Sequence, residues 1–262
     1  MQETSKRYKD LLADETHWVE TRLSIGEAGN LITEGWDKLV IGGIGILTGA
    51  SGADAGFDES VLYSIDTEQR IFSGNVPAVG SCVAAEIEVK MLKPKGEIHR
   101  QARLTPYIRL TDGIRPSEWV QKGVFFIDTR EEDTTSDALK ILTIHGYDAM
   151  LKAEADYPPS KLKWPARDID VVREIAEAMG VDVDMRTVEI MTSGYLVQLP
   201  AGYSQRETLG FLAAMYGGCF IMSDLGELRL VCLNALPPET RILVTGGADR
   251  STITFGGVRI RV

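Results

Sequence analysis

Alternation of apolar and polar side chains over residues 63–151 most constrains the fold of this chain. From Val83 to Met91 every second residue is apolar, and Glu86, Glu88 and Lys90 lie between them. Further alternating runs, separated by turn residues, cover Leu104–Leu110, Trp119–Arg130 and Leu139–Gly146. A period of two predicts strands with one buried and one solvated face. Short antiparallel strands at regular spacing predict a sandwich or small β-barrel, and closing the sheet would remove exposed edges.

The stretch from Gly202 to Leu233 predicts a helix followed by a β-hairpin. Ser204 and Glu207 have capping-box spacing, in which each side chain accepts a hydrogen bond from the other residue's backbone amide. Apolar residues recur at helical spacing over the next turns: Leu209, Leu212, Ala213 and Tyr216. Gly217 and Gly218 end the helix, because glycine adopts the left-handed C-cap conformation without strain. The apolar runs that follow flank a short turn and predict the hairpin.

A second helix and a domain boundary are predicted upstream of this stretch. Asp168–Met179 has an amphipathic pattern that ends at Gly180. Ile190–Leu199 predicts strand structure between the two helices. The proline-punctuated segment from Asp156 to Pro165 is the best domain boundary, because exposed proline-rich segments commonly join domains.

Together these elements predict an α+β fold that is mainly β: an antiparallel β-barrel plus a small α+β module with two helices. The predicted domains are an N-terminal helical arm (1–14), a β-barrel domain (15–155) with a Gly-rich loop (42–56), an α+β module (156–236), and strands at 237–262. The last segment either returns to the barrel or starts a second one. Because its final strand runs to Val262, we expect that strand to pair back into the barrel or the natural chain to continue.

The N-terminal residues predict a short exposed helix and then the first strand. Thr4–Ala13 places Tyr8, Leu11 and Leu12 on one edge of a helix. We expect this arm either to dock on a neighbouring molecule or to fray. His17–Ile25 alternates and predicts the first strand.

A Gly-rich segment, Leu39–Gly56, invites a cofactor interpretation. Gly43, Gly45 and Gly49 follow strand-like residues, as in a dinucleotide-binding turn. Such a turn needs a helix directly after the glycines, whose N-terminal amides hold pyrophosphate. The residues that follow here are small, acidic or glycine and form helices poorly. We therefore expect a long surface loop and no cofactor.

Charge and cysteine usage exclude several classes of protein. The formal net charge is −10 and the pI is near 4.9, whereas a free nucleic-acid-binding protein carries a basic stripe. An acidic protein surface repels phosphate, so DNA can still pass along it without binding. Cys82, Cys219 and Cys232 are far apart and predict buried thiols in a reducing compartment. No apolar run is long enough to span a bilayer and the N-terminus is not signal-like, so we expect a soluble protein made in a cytoplasm.

Candidate catalytic residues are isolated or have a structural explanation. His17, His99 and His145 each lack a second histidine or cysteine at metal-ligand spacing, so no zinc site is expected. His145 and Asp148 resemble a base with an orienting carboxylate, but a structural corner at a strand end is the better interpretation. Ser204 lacks the G-x-S-x-G setting of a nucleophile, and its capping role explains it.

Two pairs of carboxylates are also close in sequence. Asp182 and Asp184 alternate, as do Glu86 and Glu88, and paired carboxylates can perform general acid–base catalysis. Exposed acidic faces are nevertheless common in a chain this acidic, and no phosphate-binding P-loop is present. We therefore predict no catalytic, cofactor-binding or metal-binding residues, and a protein that is not an enzyme.

Four segments, taken in order, carry a resemblance to a known family. They are S-C-V-A-A-E-I-E-V-K-M-L (81–92), S-E-W-V-Q-K-G-V-F-F-I-D-T-R (117–130), L-T-I-H-G-Y-D-A-M-L (142–151) and G-Y-S-Q-R-E-T-L-G-F-L-A-A-M-Y-G-G (202–218). Together they resemble the tail-hub proteins of bacteriophages and prophages, that is, the baseplate-hub-like N-terminal regions of tail-associated or tail-tip proteins. The resemblance spans roughly Phe57 to Leu233, and its motifs are structural.

The resemblance implies a tail-tube-like barrel, a small α+β module and a second barrel. It further implies that three copies form a ring that caps the hexameric tail tube. This sequence departs from that pattern, since a second barrel is represented at most by Arg241–Val262; a shorter piece or a reduced hub would explain this. Two outward-facing sets are candidates for channel or contact faces: Glu86, Glu88 and Lys90, or Arg103, Thr105, Tyr107 and Arg109.

On this resemblance we expect a structural virion protein: a homotrimeric baseplate or tail-tip hub that joins the tail tube to the tip or fibre apparatus. Its expected partners are the tail tube or distal tail protein ring and a tail fibre, spike or tape-measure protein. DNA would pass through without specific binding, and no membrane insertion is expected. Assembly would occur in the bacterial host cytoplasm. The alternatives are the anchoring region of a cell-wall hydrolase with its catalytic domain beyond Val262, and the hub of a contractile injection system.

Overall fold

The structure, a computed structural model of the 262-residue chain, describes residues 4–26, 38–41, 45–48, 57–72, 74, 78–94, 98, 100–133, 140–192, 194–233, 243–247, 250–255 and 258–261. The first strands are β1 (Trp18–Gly26), β2 (Lys38–Ile41), β3 (Gly45–Thr48), β4 (Leu62–Glu68), β5 (Glu86–Leu92), β6 (Arg103–Thr111), β7 (Val120–Gln121), β8 (Phe125–Asp133) and β9 (Ile141–Asp148). The later strands are β10 (Ala166–Arg167), β11 (Leu196–Val197), β12 (Gly218–Met222), β13 (Leu228–Cys232), β14 (Leu243–Gly247), β15 (Arg250–Phe255) and β16 (Val258–Arg261). The helices are α1 (Lys6–Ala13), α2 (Asp168–Met179), α3 (Met185–Ile190) and α4 (Gln205–Met215), and Ala149–Glu154 forms a 3-10 helix.

Seven antiparallel strands form the main sheet, in the order β1-β6-β8-β9-β5-β4 with β7 beside β6. Leu23 in β1 and Phe57, just before β4, exchange two backbone hydrogen bonds of 2.8 Å. This bridge links β1 to the segment that precedes β4. The prediction of a mainly β, antiparallel chain is confirmed. Among the described strands, β1 and β4 are the two ends of the sheet and do not pair with each other.

The core of the main sheet comes from the alternating positions. Ile87, Val89 and Met91 of β5 are at most 2% exposed, whereas Glu86 and Lys90 at the alternate positions are exposed. The same core also contains Leu23, Ala85, Ala102, Leu104, Phe125, Ile127, Leu142 and Ile144. The predicted period of two therefore places one face of each of these strands inward.

A second core lies between the 3-10 helix, α2, α4 and the β12–β13 hairpin; these elements with α3, β10 and β11 are called the α+β module below. Buried apolar side chains from all four elements form it, including Met150, Val172, Leu209 and Phe220. Helix α4 begins as predicted, because the Ser204 hydroxyl accepts from Glu207 N and the Glu207 carboxylate accepts from Ser204 N.

The strand predicted at Ile190–Leu199 is wrong for most of its length. Residues 185–190 form helix α3, and only Leu196–Val197 is a strand, paired with β10. The Asp184 carboxylate accepts a hydrogen bond from Arg186 N at 2.8 Å and caps α3. The buried Thr187 hydroxyl contacts Leu230 N at 2.8 Å, which anchors the helix on β13. Helix α3 overlaps the predicted strand only at Ile190 and is a third helix where two were predicted for the module. Further on, Gly194 has a φ of 51°, a left-handed conformation that interrupts extended backbone.

The N-terminal helix α1 docks on its own chain, an arrangement that the sequence did not suggest. Arg7 forms an ion pair with Asp112 at 2.7 Å, and Ser5 N donates to Glu118 Oε1 at 2.6 Å. Leu11 is 2% exposed. Hydrogen bonds from Arg115 N and from Arg7 lower the pKa of Asp112 below its ordinary value. The arm is thus held by one buried apolar residue and a set of polar contacts.

The remaining strands form small separate sheets. β2 and β3 pair as an antiparallel hairpin, so the predicted loop is wrong for Gly45–Thr48; residues 42–44 and 49–56 lie outside the described residues. Strands β14, β15 and β16 pair with each other in a three-stranded antiparallel sheet. The predicted strand structure near the C-terminus is therefore present, and among the described strands it pairs separately from the main sheet.

Residues 80–82 connect the α+β module to the strand that enters the main sheet. Gly80 N donates to Gly218 O at 2.7 Å, and Phe220 N donates to Ser81 O at 3.1 Å. Cys82 and Phe220 form a parallel bridge. This segment also crosses α4 closely, since a Cβ added at Gly210 would lie 2.7 Å from Gly80 O.

We expect Gly210→Ala to destabilise the protein by about 1–3 kcal/mol, because the added methyl group meets backbone that cannot move freely. Helix propensity alone predicts the opposite, a gain of about 1 kcal/mol. Equilibrium unfolding in urea measures the difference in unfolding free energy between the variant and the wild type. Ala178→Gly, at an exposed position of helix α2, calibrates the propensity effect. A Gly210→Ala protein more stable than the wild type would show that the crossing is not tight.

Candidate functional site

His145 and Asp148, which sequence spacing allows as a base with an orienting carboxylate, do not face each other. His145 lies on the exposed face of β9, with Nδ1 3.6 Å from Glu88 Oε2. Asp148 is 4% exposed on the opposite face. Its two carboxylate oxygens accept from Met150 N and Ala85 N, each at 2.9 Å. The prediction of a structural corner is confirmed, because Asp148 caps the 3-10 helix and ties it to the entry of β5.

Burial dominates the chemistry of Asp148. Desolvation raises the pKa of this carboxyl to about 6, although the two backbone amides and Arg206 act in the opposite direction. A raised pKa in a buried carboxyl can mark an active-site acid. Here both oxygens already accept hydrogen bonds from backbone amides. The carboxylate therefore has a structural function, which is to hold these two backbone segments.

The two carboxylate pairs differ in their surroundings. Asp184 is buried, caps α3 and forms an ion pair with Arg186, whose hydrogen bond lowers the pKa of Asp184. The backbone carbonyl of Asp182 accepts from Leu228 N, and this contact pairs the segment with β13. A lowered pKa does not suit a general acid at neutral pH. Glu86 and Glu88 lie on the solvent side of β5.

Cysteines and metal-ligating groups are dispersed in the described chain. All three thiols are free, and those of Cys82 and Cys219 are buried. Burial raises the pKa of Cys82 to about 12, so this thiol is a poor nucleophile. Among the described residues no group of three or more His, Cys, Asp or Glu side chains could hold a metal ion. No helix in the described ranges is long and apolar enough to cross a membrane.

A cleft of about 370 Å³ lies where the main sheet meets the turn between β12 and β13. Two amide side chains span its rim: Gln69 Nε2 donates to Met222 O at 2.7 Å, and Gln121 Nε2 donates to Asp224 O at 2.8 Å. The cleft also borders Asp148. These contacts use backbone carbonyls of the turn, so they fix the α+β module against the sheet.

Four carboxylates lie close together on two neighbouring strands of the main sheet. In the β4–β5 register, Glu68 lies opposite Glu86 and Asp66 lies opposite Glu88. These four residues are called the acidic face. Lys90 contacts Glu88 at 2.7 Å and Arg70 contacts Glu68 at 2.6 Å; each cation lowers the pKa of its partner carboxyl. Two cations thus accompany four carboxylates.

A contrasting surface lies on the outer side of β1 and β6. The guanidinium carbons of Arg22 and Arg109 each lie 4.4 Å from the ring centre of Trp119. Arg109 also pairs with Glu20 at 2.5 Å. Arg103 is exposed on the same side of β6, because it is an even number of residues from Arg109. Arg22, Arg109 and Trp119 are called the Arg–Trp face; the Arg22 charge also helps to lower the pKa of the nearby Asp58 carboxyl.

Sequence reasoning identified only parts of these two faces. Glu86, Glu88, Arg103 and Arg109 were predicted to point outward. Asp66 and Glu68 were missed, although S-I-D-T-E at 64–68 carries the alternation that marks them. The contact of Trp119 with two arginines depends on the β1–β6 pairing, which local alternation does not specify.

Comparisons with known proteins were made at three levels. No family model matches the chain, and no curated protein matches it. Among solved structures, the 43 kDa tail protein of prophage MuSo2 from Shewanella oneidensis is similar, with a TM-score of 0.48 and 14% identity over 86% of this chain and 59% of that one. A tail protein from Neisseria meningitidis MC58 has a TM-score of 0.42 and 10% identity, over 82% of this chain and 51% of that one. Both are described as tail proteins, and this chain spans only 59% and 51% of their lengths.

Proposed function

We propose that this chain is a structural protein of a phage tail, and that three copies form the hub ring that joins the tail tube to the tip or fibre apparatus. The observation that supports this proposal best is the order of the structural elements along the chain. An antiparallel sheet, with a bridge from Leu23 in β1 to Phe57 just before β4, is followed by an α+β module. The segments that carry the family resemblance supply β5, β8, β9 and α4 of that arrangement.

A structural function also agrees with how the polar side chains are used. Asp148, Asp184 and Ser204 each cap a helix. Gln69 and Gln121 hold the β12–β13 turn on the main sheet. These polar side chains hold the two cores of the chain together, a structural use that agrees with the proposal.

We further propose that the channel of the ring is on balance negative. The net charge of −10 supplies ample acidic surface. A negative wall repels DNA phosphates and lets DNA slide without binding. A structure of the ring with a basic lumen that grips DNA would contradict this proposal.

Light scattering across a concentration series tests the assembly state. We expect a molar mass three times the 28.8 kDa of one chain. The same protein should then bind the end of purified tail tubes, and electron microscopy should show a ring of three copies there. A chain that stays monomeric at every concentration and also fails to bind tube ends would contradict the hub proposal.

A further inference from the structure

We propose that the outer side of helix α4 is covered by a neighbouring copy of this chain, so that apolar packing on this helix helps to close the ring. The inference rests on the trimeric assembly proposed above and names one of its contact surfaces. That surface consists of five exposed residues and is called the α4 face below: Val79, Tyr203, Phe211, Ala214 and Met215.

Helix α4 is uncharged on every side after its first turn. Residues 208–216 carry no charged side chain. Leu209 and Leu212 fill the core of the α+β module on one side of the helix. The opposite side is also apolar, since Phe211 is 55% exposed and Met215 is 42% exposed. A surface helix normally carries polar residues on its outer side, and a helix that is apolar all round is normally buried. This composition indicates that another surface covers the α4 face in the assembled protein.

The α4 face is held in one conformation before any partner binds. The Tyr203 ring packs edge-on against the Phe211 ring, with 5.1 Å between the ring centroids. The capping box fixes the first turn of the helix. A Cβ added at Gly80 would lie 2.8 Å from Gly210 O, so the segment that carries Val79 lies directly against the helix. Because these groups are already ordered, little conformational entropy is lost when a partner binds.

The area of the α4 face suits the apolar centre of a protein interface. A fully exposed aromatic side chain presents about 150–250 Å², so Phe211 and Tyr203, at 55% and 45% exposed, contribute about 100 Å² each. Similar contributions from Val79 and Met215 bring the total to roughly 350–400 Å². A standard interface buries about 800 Å² on each partner, and somewhat more than half of it is apolar. The α4 face therefore supplies most of the apolar area of one such contact.

The charge of the chain favours a second copy as the occupant. Each copy has a formal net charge of −10, so two copies repel each other wherever their acidic surfaces meet. A ring of identical copies needs a contact surface without this repulsion. The α4 face meets that requirement, because the nearest charged residue along the helix is Glu207, whose carboxylate is held on the Ser204 amide by the capping box.

A charge placed on the α4 face tests the contact. Phe211→Glu puts a carboxylate at its centre, and Leu225→Glu, at a position 52% exposed in the β12–β13 turn, is the matched control. Phe211→Leu keeps an apolar side chain at the same position. Sedimentation equilibrium of the purified chain measures the association constant of each protein at about 0.05 M and about 0.5 M salt, a range over which surface charges become screened. Circular dichroism and urea unfolding at a concentration below assembly establish that each variant is folded.

We expect Phe211→Glu to weaken association about tenfold or more, because a central aromatic residue is lost and an unpaired charge enters the contact. Phe211→Leu should keep most of the affinity, and Leu225→Glu should match the wild type. High salt should strengthen the association of the wild type, because it screens the repulsion between acidic copies and leaves the apolar contact in place. The Phe211 side chain is exposed in the single chain, so the variant should remain folded.

Oxidation by hydrogen peroxide provides a second measurement that needs no variant. Met215 lies on the α4 face, whereas Met185, which is 68% exposed, lies on α3. Mass spectrometry after digestion measures the rate at which each methionine becomes a sulfoxide. We expect Met215 to oxidise about fivefold or more slowly in the trimer than in the diluted single chain, with the rate of Met185 unchanged, because access to the sulfur controls this reaction.

Three outcomes overturn the inference. A trimer in which Phe211→Glu associates as tightly as the wild type would show that other surfaces form the ring, and the hub proposal would stand. A trimer in which Met215 stays as reactive as in the single chain would show the same. A wild-type chain that remains monomeric at about 0.1 mM, where even a micromolar contact is saturated, would exclude a second copy as the occupant. Purified tail tubes then test the hub proposal separately, and loss of tube-end binding in Phe211→Glu would identify the tube as the occupant instead.

Discussion

Replacing Phe220 with alanine should lower the free energy of unfolding by about 3–5 kcal/mol, the usual cost of deleting a buried aromatic ring. Phe220 is 0% exposed at the centre of β12 and belongs to the core of the α+β module. Its backbone also bonds to Ser81 and forms a bridge with Cys82, on the segment that enters the main sheet. The cavity would therefore open where the two parts of the chain are joined, and neither side can move in to fill it without breaking these bonds.

Urea unfolding followed by circular dichroism measures this loss. Phe211→Ala is the matched control, because Phe211 is 55% exposed on α4 and contacts only the Tyr203 ring among the aromatic pairs described. We expect the control to lose less than about 1 kcal/mol. Equal losses for the two variants would mean that Phe220 is not packed as described.

The sequence predicts the elements whose causes are local. Ser204 and Glu207 are three residues apart, and the capping box they form fixes the start of α4 within the chain itself. The alternation around Glu86 and Glu88 similarly identifies both faces of β5. In each case the interacting residues are neighbours in sequence, so their spacing carries the information.

Elements stabilised by distant residues were predicted less well. Helix α3 contains β-branched residues that favour a strand, but Thr187 bonds to Leu230 on another element. The docking of α1 depends on Asp112 and Glu118, more than 100 residues away from their partners. No local pattern contains this information, because the contact exists only once the main sheet has formed.

The two charged faces show the same limit. Alternation places Glu86 on the solvent side, but only the β4–β5 register puts Glu68 directly opposite it. Trp119 lies far in sequence from Arg22, and the pairing of β1 with β6 brings the two together. The sequence thus provides the charges, and the strand register decides which of them become neighbours.

Replacing Asp148 with alanine should cost about 2–4 kcal/mol at pH 4–5, because two buried backbone donors lose their acceptor. These donors are the amides of Ala85 and Met150, at the entry of β5 and the start of the 3-10 helix. Because Asp148 is buried, bulk water has little access to these two amides once the carboxylate is removed. Asp156→Ala, at an exposed position beyond the 3-10 helix, is the matched control and should change the stability by less than about 0.5 kcal/mol.

The pH dependence of this cost has a definite sign. Burial raises the pKa of Asp148 in the folded chain to about 6, whereas an unfolded chain has an aspartate pKa near 3.9. Between these values the unfolded state releases its proton first, so the wild type loses stability as pH rises. The alanine variant lacks this titration. The difference between the two unfolding free energies should therefore shrink by roughly 2–3 kcal/mol between pH 4 and pH 7. Parallel curves would indicate an ordinary pKa, and a difference that grows with pH would indicate that the two amide hydrogen bonds outweigh burial.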